Sequence, residues 1–117
     1  MAVNLSYITL FVGDFVECVS FYRNGLGLKV AHESPSFVQF RTGGTVLALH
    51  AATDSSRHTR GLNLHFDVPD LADAVTTLRA RGVRFDGEPK DEPWGAKVAR
   101  TTDPAGTVVE IVQWADR

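Results

Sequence analysis

Hydrophobic and polar positions along the chain fall into two kinds of rhythm, and the same sequence of rhythms runs twice. Residues 5 to 12, LSYITLFV, alternate with a period of two, so Ile8, Leu10 and Val12 form an apolar face and Tyr7, Thr9 and Phe11 point the other way. Gly13-Asp14 then opens a helix. Asp14 is placed to cap it, Glu17 follows as in a capping box, and Phe15, Cys18, Val19 and Tyr22 recur at helical spacing until Asn24-Gly25-Leu26-Gly27. Strands are predicted at about 28 to 33, 36 to 42 and 45 to 50, parted by Ser34-Pro35 and Gly43-Gly44. The register of the strand at 36 to 42 is left open, so Phe37 and Phe40 are not assigned to a face.

Residues 51 to 60, AATDSSRHTR, are polar and without period, which reads as a linker. Beyond it the pattern restarts. Leu62, Leu64, Phe66 and Val68 make one strand face and Asn63, His65 and Asp67 the other, after which Asp70 caps a helix carrying Leu71, Ala74, Val75 and Leu78 that stops at Gly82. Strands are predicted at 83 to 86, 96 to 102 and 107 to 114, with the loop GEPKDEPWG between the first two. In the last strand Val108, Glu110, Val112 and Trp114 share one face and Val109 and Ile111 the other. Glu110 is thus a carboxylate among apolar neighbours. It must meet a partner or face a wet cavity, because burying it unpaired costs several kcal/mol.

The halves align at Val12-Gly13-Asp14-Phe15 with Val68-Pro69-Asp70-Leu71, and TVLAL at 45 to 49 matches TVVEI at 107 to 111. This predicts an α+β fold of two tandem βαβββ modules, each a curved mixed sheet covered by one helix. Module 1 spans about 1–52, a linker about 53–60 and module 2 about 61–117, together forming a single domain. With one helix per sheet, the other face of each sheet has to be buried by a partner sheet or line a cleft.

The totals narrow the function classes. A chain of 117 residues with 44% hydrophobic content can build one domain core. Formal net charge is -2, and lysine and arginine never cluster into a run, which argues against a nucleic-acid partner. No stretch approaches the roughly 20 apolar residues of a membrane span, and no basic segment followed by an apolar run opens the sequence, so a cytoplasmic protein is expected. The single cysteine, Cys18, cannot form an internal disulfide and falls on an apolar helix stripe as a buried thiol.

The stretches FVGDFVECVSFYRNGLGLKV at 11 to 30, LHFDVPDLADAVTTLRARGV at 64 to 83 and PWGAKVARTTDPAGTVVEI at 93 to 111, in this order, resemble the vicinal oxygen chelate superfamily of glyoxalases, extradiol dioxygenases, fosfomycin-resistance enzymes and bleomycin-resistance proteins. The likeness covers nearly the whole chain. In the metal-dependent relatives the resemblance implies histidine-type ligands on the opening strand of each module and carboxylates on the closing strands. Carried over position by position, these sites are Tyr7, Asn63, Ala48 and Glu110. A divalent cation needs several good donors at about 2.0 to 2.6 Å. Glu110 is the strong ligand of the set; alanine donates nothing, asparagine is a poor partner for a transition metal, and tyrosine must first lose its proton. A displaced triad of His50, His65 and Glu110 is the alternative, although a shift of two residues moves a side chain about 6.6 Å along its strand. His58 falls in the linker and His32 near a strand end, where exposure is expected.

The resemblance and the weakened donor set together suggest a metal-free binding protein without cofactor, similar to bleomycin-resistance members. It would sequester a bulky planar or glycosylated natural product in the cleft of a homodimer. Its expected binding residues are Tyr7, Thr9, Phe11, His50, Asn63, His65, Trp94, Glu110, Val112 and Trp114, a mixed aromatic and polar lining. Packing between modules or subunits is the ordinary structural role for Trp94 and Trp114, and the loop from Asp86 to Gly95 suits either a mobile lid or a plain surface loop. Two other readings stand. One is a small lyase, isomerase or dioxygenase working through the displaced metal site or through acid/base chemistry of Glu110 with His65. The other is a subunit that only dimerises.

Overall fold

The computed structural model describes residues 2, 5–52, 62–93 and 95–115. The chain forms two compact units, Met1–Thr59 and Arg60–Arg117. Each is a βαβββ module. Most of the predicted linker, with His58, and the indole of Trp94 lie outside the described residues.

In the first unit β1 (Tyr7–Val12), β2 (Lys29–Ser34), β3 (Phe37–Arg41) and β4 (Val46–Ala51) form a four-stranded sheet in the order β1-β4-β3-β2. β1 and β4 are parallel and the other pairs antiparallel, with an irregularity in register between Val30 and His32. One face carries Leu10, Val12, Val38, Phe40, Leu47 and Leu49, all buried, together with Cys18, Val19 and Tyr22 of the helical segment. Tyr22 and Phe40 are in ring contact at 6.1 Å between centroids. Phe40 therefore belongs to the core, and by strand alternation Phe37 stands on the face away from the helix.

The helix of this unit departs from the sequence expectation. α1 (Phe15–Ser20) is followed directly by a π-helical turn, Phe21–Gly25, closed by a bond from Leu26 N to Phe21 O at 2.9 Å. Asp14 makes no side-chain capping bond, its backbone lying at φ -94° and ψ 65° rather than in the extended form a cap requires. The widened turn still leaves Tyr22 fully buried beside Cys18, so the apolar stripe survives the change of pitch.

In the second unit β5 (Asn63–Asp67), β6 (Lys90–Glu92), β7 (Ala96–Thr102) and β8 (Val108–Trp114) repeat the plan in the order β5-β8-β7-β6. α2 (Leu71–Ala80) lays Leu71, Val75 and Leu78 against one face. Its N-terminus is capped as expected, Asp70 Oδ1 accepting from Asp73 N at 3.1 Å. Its C-terminus is a Schellman motif: Gly82, at φ 92°, donates to Arg79 O, and Val83 donates to Leu78 O, both at 3.0 Å.

That motif corrects one predicted strand. Val83 is buried as the apolar residue that follows a Schellman cap, and of residues 83 to 86 Phe85 alone makes a bridge, to Thr101. The edge strand comes later, at Lys90–Glu92, inside the segment expected to be loop. Asp86–Gly95 is therefore partly tied to β7 through the Lys90–Val98 and Glu92–Ala96 pairs. β7 and β8 join through Asp103-Pro104-Ala105-Gly106, where the buried Asp103 carboxylate accepts from Ala105 N at 2.9 Å and Thr107 N at 2.8 Å. Gly106 takes φ 91° there.

Candidate functional site

Glu110 occupies the middle of a row laid across the second sheet. β8 lies between β5 and β7, and the pairing sets His65 opposite Glu110 on one side and Arg100 opposite it on the other. His65 Nε2 is 2.9 Å from Oε1, and Arg100 Nη2 donates to Oε2 at 3.1 Å. Asn63 Nδ2 adds a longer bond to Oε1 at 3.4 Å. The carboxylate side chain is 8% exposed, whereas His65 is 42% and Arg100 53% exposed. A nearly buried anion is thus compensated by a cation and by two neutral-capable donors, and those flanking groups keep contact with solvent.

Around this row, the face of the second sheet away from α2 carries an apolar patch. Ala96, Val98 and Val112 are buried together and Trp114 packs on them. The indole Nε1 of Trp114 donates to Asp67 Oδ1 at 3.1 Å, which fixes the ring at the end of the strand. Asn63, His65, Glu110, Val112 and Trp114 therefore share one surface, as their spacing predicted. Arg100 was not among the expected residues. Its signal was available in the hairpin: with the turn at 103–107 and Thr102 paired to Val108, the residue facing Glu110 has to be Arg100.

The equivalent face of the first sheet is built differently. The row that corresponds to His65, Glu110 and Arg100 is Thr9, Ala48 and Gln39, as the pairing of Thr9 and Gln39 with Ala48 shows. Ala48 is fully buried, and Gln39 Nε2 donates to Tyr7 Oη at 2.6 Å, a bond that reaches from β3 to β1 across β4. One step along, Phe11, His50 and Phe37 form an aromatic row, with ring centroids 5.2 Å apart for Phe11–His50 and 5.9 Å for Phe37–His50. His32 extends it at 6.3 Å from Phe37. Tyr7, Thr9, Phe11 and His50 share this surface, and Phe37, Gln39 and His32 join them.

A hollow of about 380 Å³ opens on the opposite face of the second sheet, beside the start of α2, lined by Asp70, Leu71, Lys90, Asp91, Lys97 and Gln113 among others. The free N–H of Leu71 is taken by Gln113 Oε1 at 2.7 Å, and the two lysines are balanced by the two aspartates. Neither field nor donors favour an anion there.

The donor set does not suit the divalent ion that metal-dependent relatives imply. Ala48 offers no ligand atom and the tyrosine oxygen at position 7 is engaged by Gln39. Both oxygens of Glu110 are engaged, one by a guanidinium whose charge opposes a second cation. Among the described residues no group of three or more His, Cys, Asp or Glu side chains is disposed to hold an ion, and His50 packs its ring against Phe11 and Phe37 with Nδ1 2.9 Å from Ala51 O. No helix among the described residues is long and apolar enough to cross a membrane.

Comparison with known proteins agrees with the architecture. Uncharacterized protein YraH of Bacillus subtilis is 27% identical over 93% of this chain and 97% of its own. A glyoxalase/bleomycin resistance protein/dioxygenase from Nocardioides superposes with a TM-score of 0.80 at 25% identity, covering 99% of this chain and 86% of that one. A lactoylglutathione lyase from Agrobacterium tumefaciens has the same fold, with a TM-score of 0.76 at 23% identity over 96% of this chain and 94% of that one. The family model of the Glyoxalase/Bleomycin resistance protein/Dioxygenase superfamily matches residues 4–111, and with both four-stranded modules in place the chain belongs to that superfamily.

Proposed function

We propose that this protein is a small-molecule-binding member of the superfamily that works without a metal ion and sequesters a bulky aromatic or glycosylated natural product, as bleomycin-resistance proteins do. The observation that carries the reading is the clamp of Glu110 between Arg100 and His65. To ligate a metal, the carboxylate would have to release a guanidinium and an imidazole, and the ion would gain a site already beside a positive charge. The same clamp leaves partly exposed polar side chains on the sheet face that also carries Trp114, while the first module presents the ring row of Phe11, His50 and Phe37. Flat rings and a few fixed polar groups are what organic-ligand sites use. The binding residues of this reading are Tyr7, Thr9, Phe11, His50, Asn63, His65, Trp94, Glu110, Val112 and Trp114, to which the geometry adds Arg100. The working unit is a homodimer acting in the cytoplasm, with no nucleic acid or membrane as partner.

The test is thermal denaturation of the purified chain against a panel of DNA-cleaving and intercalating antibiotics, with and without chelator, beside elemental analysis. A ligand at about 100 times its Kd adds roughly 2.7 kcal/mol of stability, and that gain should be indifferent to chelator. Stoichiometric metal in the native protein, or no stabilisation by any compound, would overturn the reading.

A second reading rests on the 2.9 Å contact between His65 Nε2 and Glu110 Oε1, the spacing at which a carboxylate orients an imidazole for proton transfer. With His65 partly open to solvent, the pair could act as an acid/base catalyst of an isomerase or lyase. Turnover of lactoylglutathione that His65→Gln abolishes would favour it over sequestration.

A further inference from the structure

We infer that Arg100 is the seat for a carboxylate on the ligand, so that the compounds this protein takes up are aromatic acids; the inference rests on the binding reading above. Arg100 is an exposed arginine on the penultimate strand, and by itself would be a mobile surface side chain. Glu110 changes that. The buried carboxylate takes one N–H of Nη2, and among the described residues the guanidinium has no other partner. Its remaining N–H donors lie in the plane of the fork, on a side chain that is 53% exposed. An arginine held in this way has already lost part of its rotamer freedom, so a second planar acceptor binds at lower entropic cost.

The charges select the sign of the visitor. Arg100 and Glu110 cancel, and the exposed partner of that pair is the cation, so an approaching amine meets a positive group first. A purely apolar ligand gains nothing from a guanidinium that stays hydrated. A carboxylate matches the fork in shape and charge, and two carboxylates can share one guanidinium through different edges. The corresponding row of the first module, Thr9, Ala48 and Gln39, carries no charge. Val98 and Val112 on this face of the second module are buried, so the ring of such an acid would lie against the partly exposed indole of Trp114, which packs on them.

The experiment is isothermal titration of the 117-residue chain with 1-naphthoate and with its neutral counterpart 1-naphthamide, repeated on Arg100→Gln and Arg100→Lys. A hydrogen-bonded charge pair of this kind corresponds to a preference of about tenfold or more for the acid in the native protein. Arg100→Gln should abolish that preference, naphthoate losing about tenfold more affinity than naphthamide. Arg100→Lys keeps a cation beside Glu110, and hence the fold, but loses the fork; it should retain only a fraction of the preference, and it decides the matter if the glutamine variant does not fold. Equal binding of acid and amide to the native protein, or a preference that both variants keep, overturns the carboxylate seat while leaving small-molecule binding intact. Failure of both probes to bind the native protein counts against the seat and the binding reading together.

Discussion

Arg100 stands directly opposite Glu110 on the antiparallel β7–β8 pair, and its Nη2 donates to Oε2 at 3.1 Å. The pair is asymmetric, since the acid is nearly buried and the base is half open to water. Removing the base strands a buried charge, whereas removing the acid leaves an arginine that water can solvate. Arg100→Met should therefore cost about 1 to 2 kcal/mol, discounted from the fully buried case for solvent screening, and Glu110→Gln less. The double variant should be more stable than Arg100→Met alone. A double-mutant cycle by urea denaturation reads this directly, and additive losses would show that the two side chains are not coupled.

The two helices begin differently, although both are preceded by aspartate. Asp70 accepts a bond from Asp73 N, and Asp14 makes no side-chain bond. Asp70→Ala should lower stability by about 1 kcal/mol and Asp14→Ala by a few tenths at most. Chemical denaturation of the two variants side by side distinguishes a working cap from a residue that merely occupies the position.

Position 48 is closed. Ala48 is fully buried, with the Gln39-to-Tyr7 bond passing across its strand. Ala48→Glu would bury a carboxylate between the uncharged Thr9 and Gln39, and should destabilise the protein by several kcal/mol. Tyr7→Phe removes one partly exposed hydrogen bond and should cost under about 1 kcal/mol. Thermal melts with and without added zinc check both expectations, and metal-dependent rescue of Ala48→Glu would contradict this account of the first module.

Gly106 sits at φ 91° in the β7–β8 turn, a region that residues with a Cβ rarely occupy, and Gly13 has no such constraint and open space around it. Gly106→Ala should cost about 1 to 2 kcal/mol and Gly13→Ala close to nothing. Because that turn sets the register that brings Arg100 opposite Glu110, loss of stability in Gly106→Ala should be accompanied by weaker naphthoate binding in the titration described above.

The repeat, the two modules and the last hairpin were legible in the sequence because alternation and turn chemistry coincide there. β7 falls at Ala96–Thr102 and Asp70 caps its helix, both as the residues indicate. β6 was not legible. Lys90-Asp91-Glu92 has no apolar alternation, being an edge strand whose pairing is made by backbone alone, whereas Val83 and Phe85 alternate for other reasons, a helix cap and an isolated bridge. The π-helical turn after α1 leaves the spacing of buried residues almost unchanged, so periodicity does not report it. Glu110 was recognisable as a carboxylate in need of a partner. Arg100 was hidden by chemistry that looks ordinary on a solvated strand, and only the hairpin register, applied one step further, reveals it.

Ala48 and Glu110 hold the same place in two copies of one lattice, yet one anchors a neutral row and the other an ionic one. Duplication of this kind gives selection two pages with identical ruling. A charge can be written on the second and revised there without disturbing what the first already says, so recharging one row requires as few as one or two substitutions within a single half.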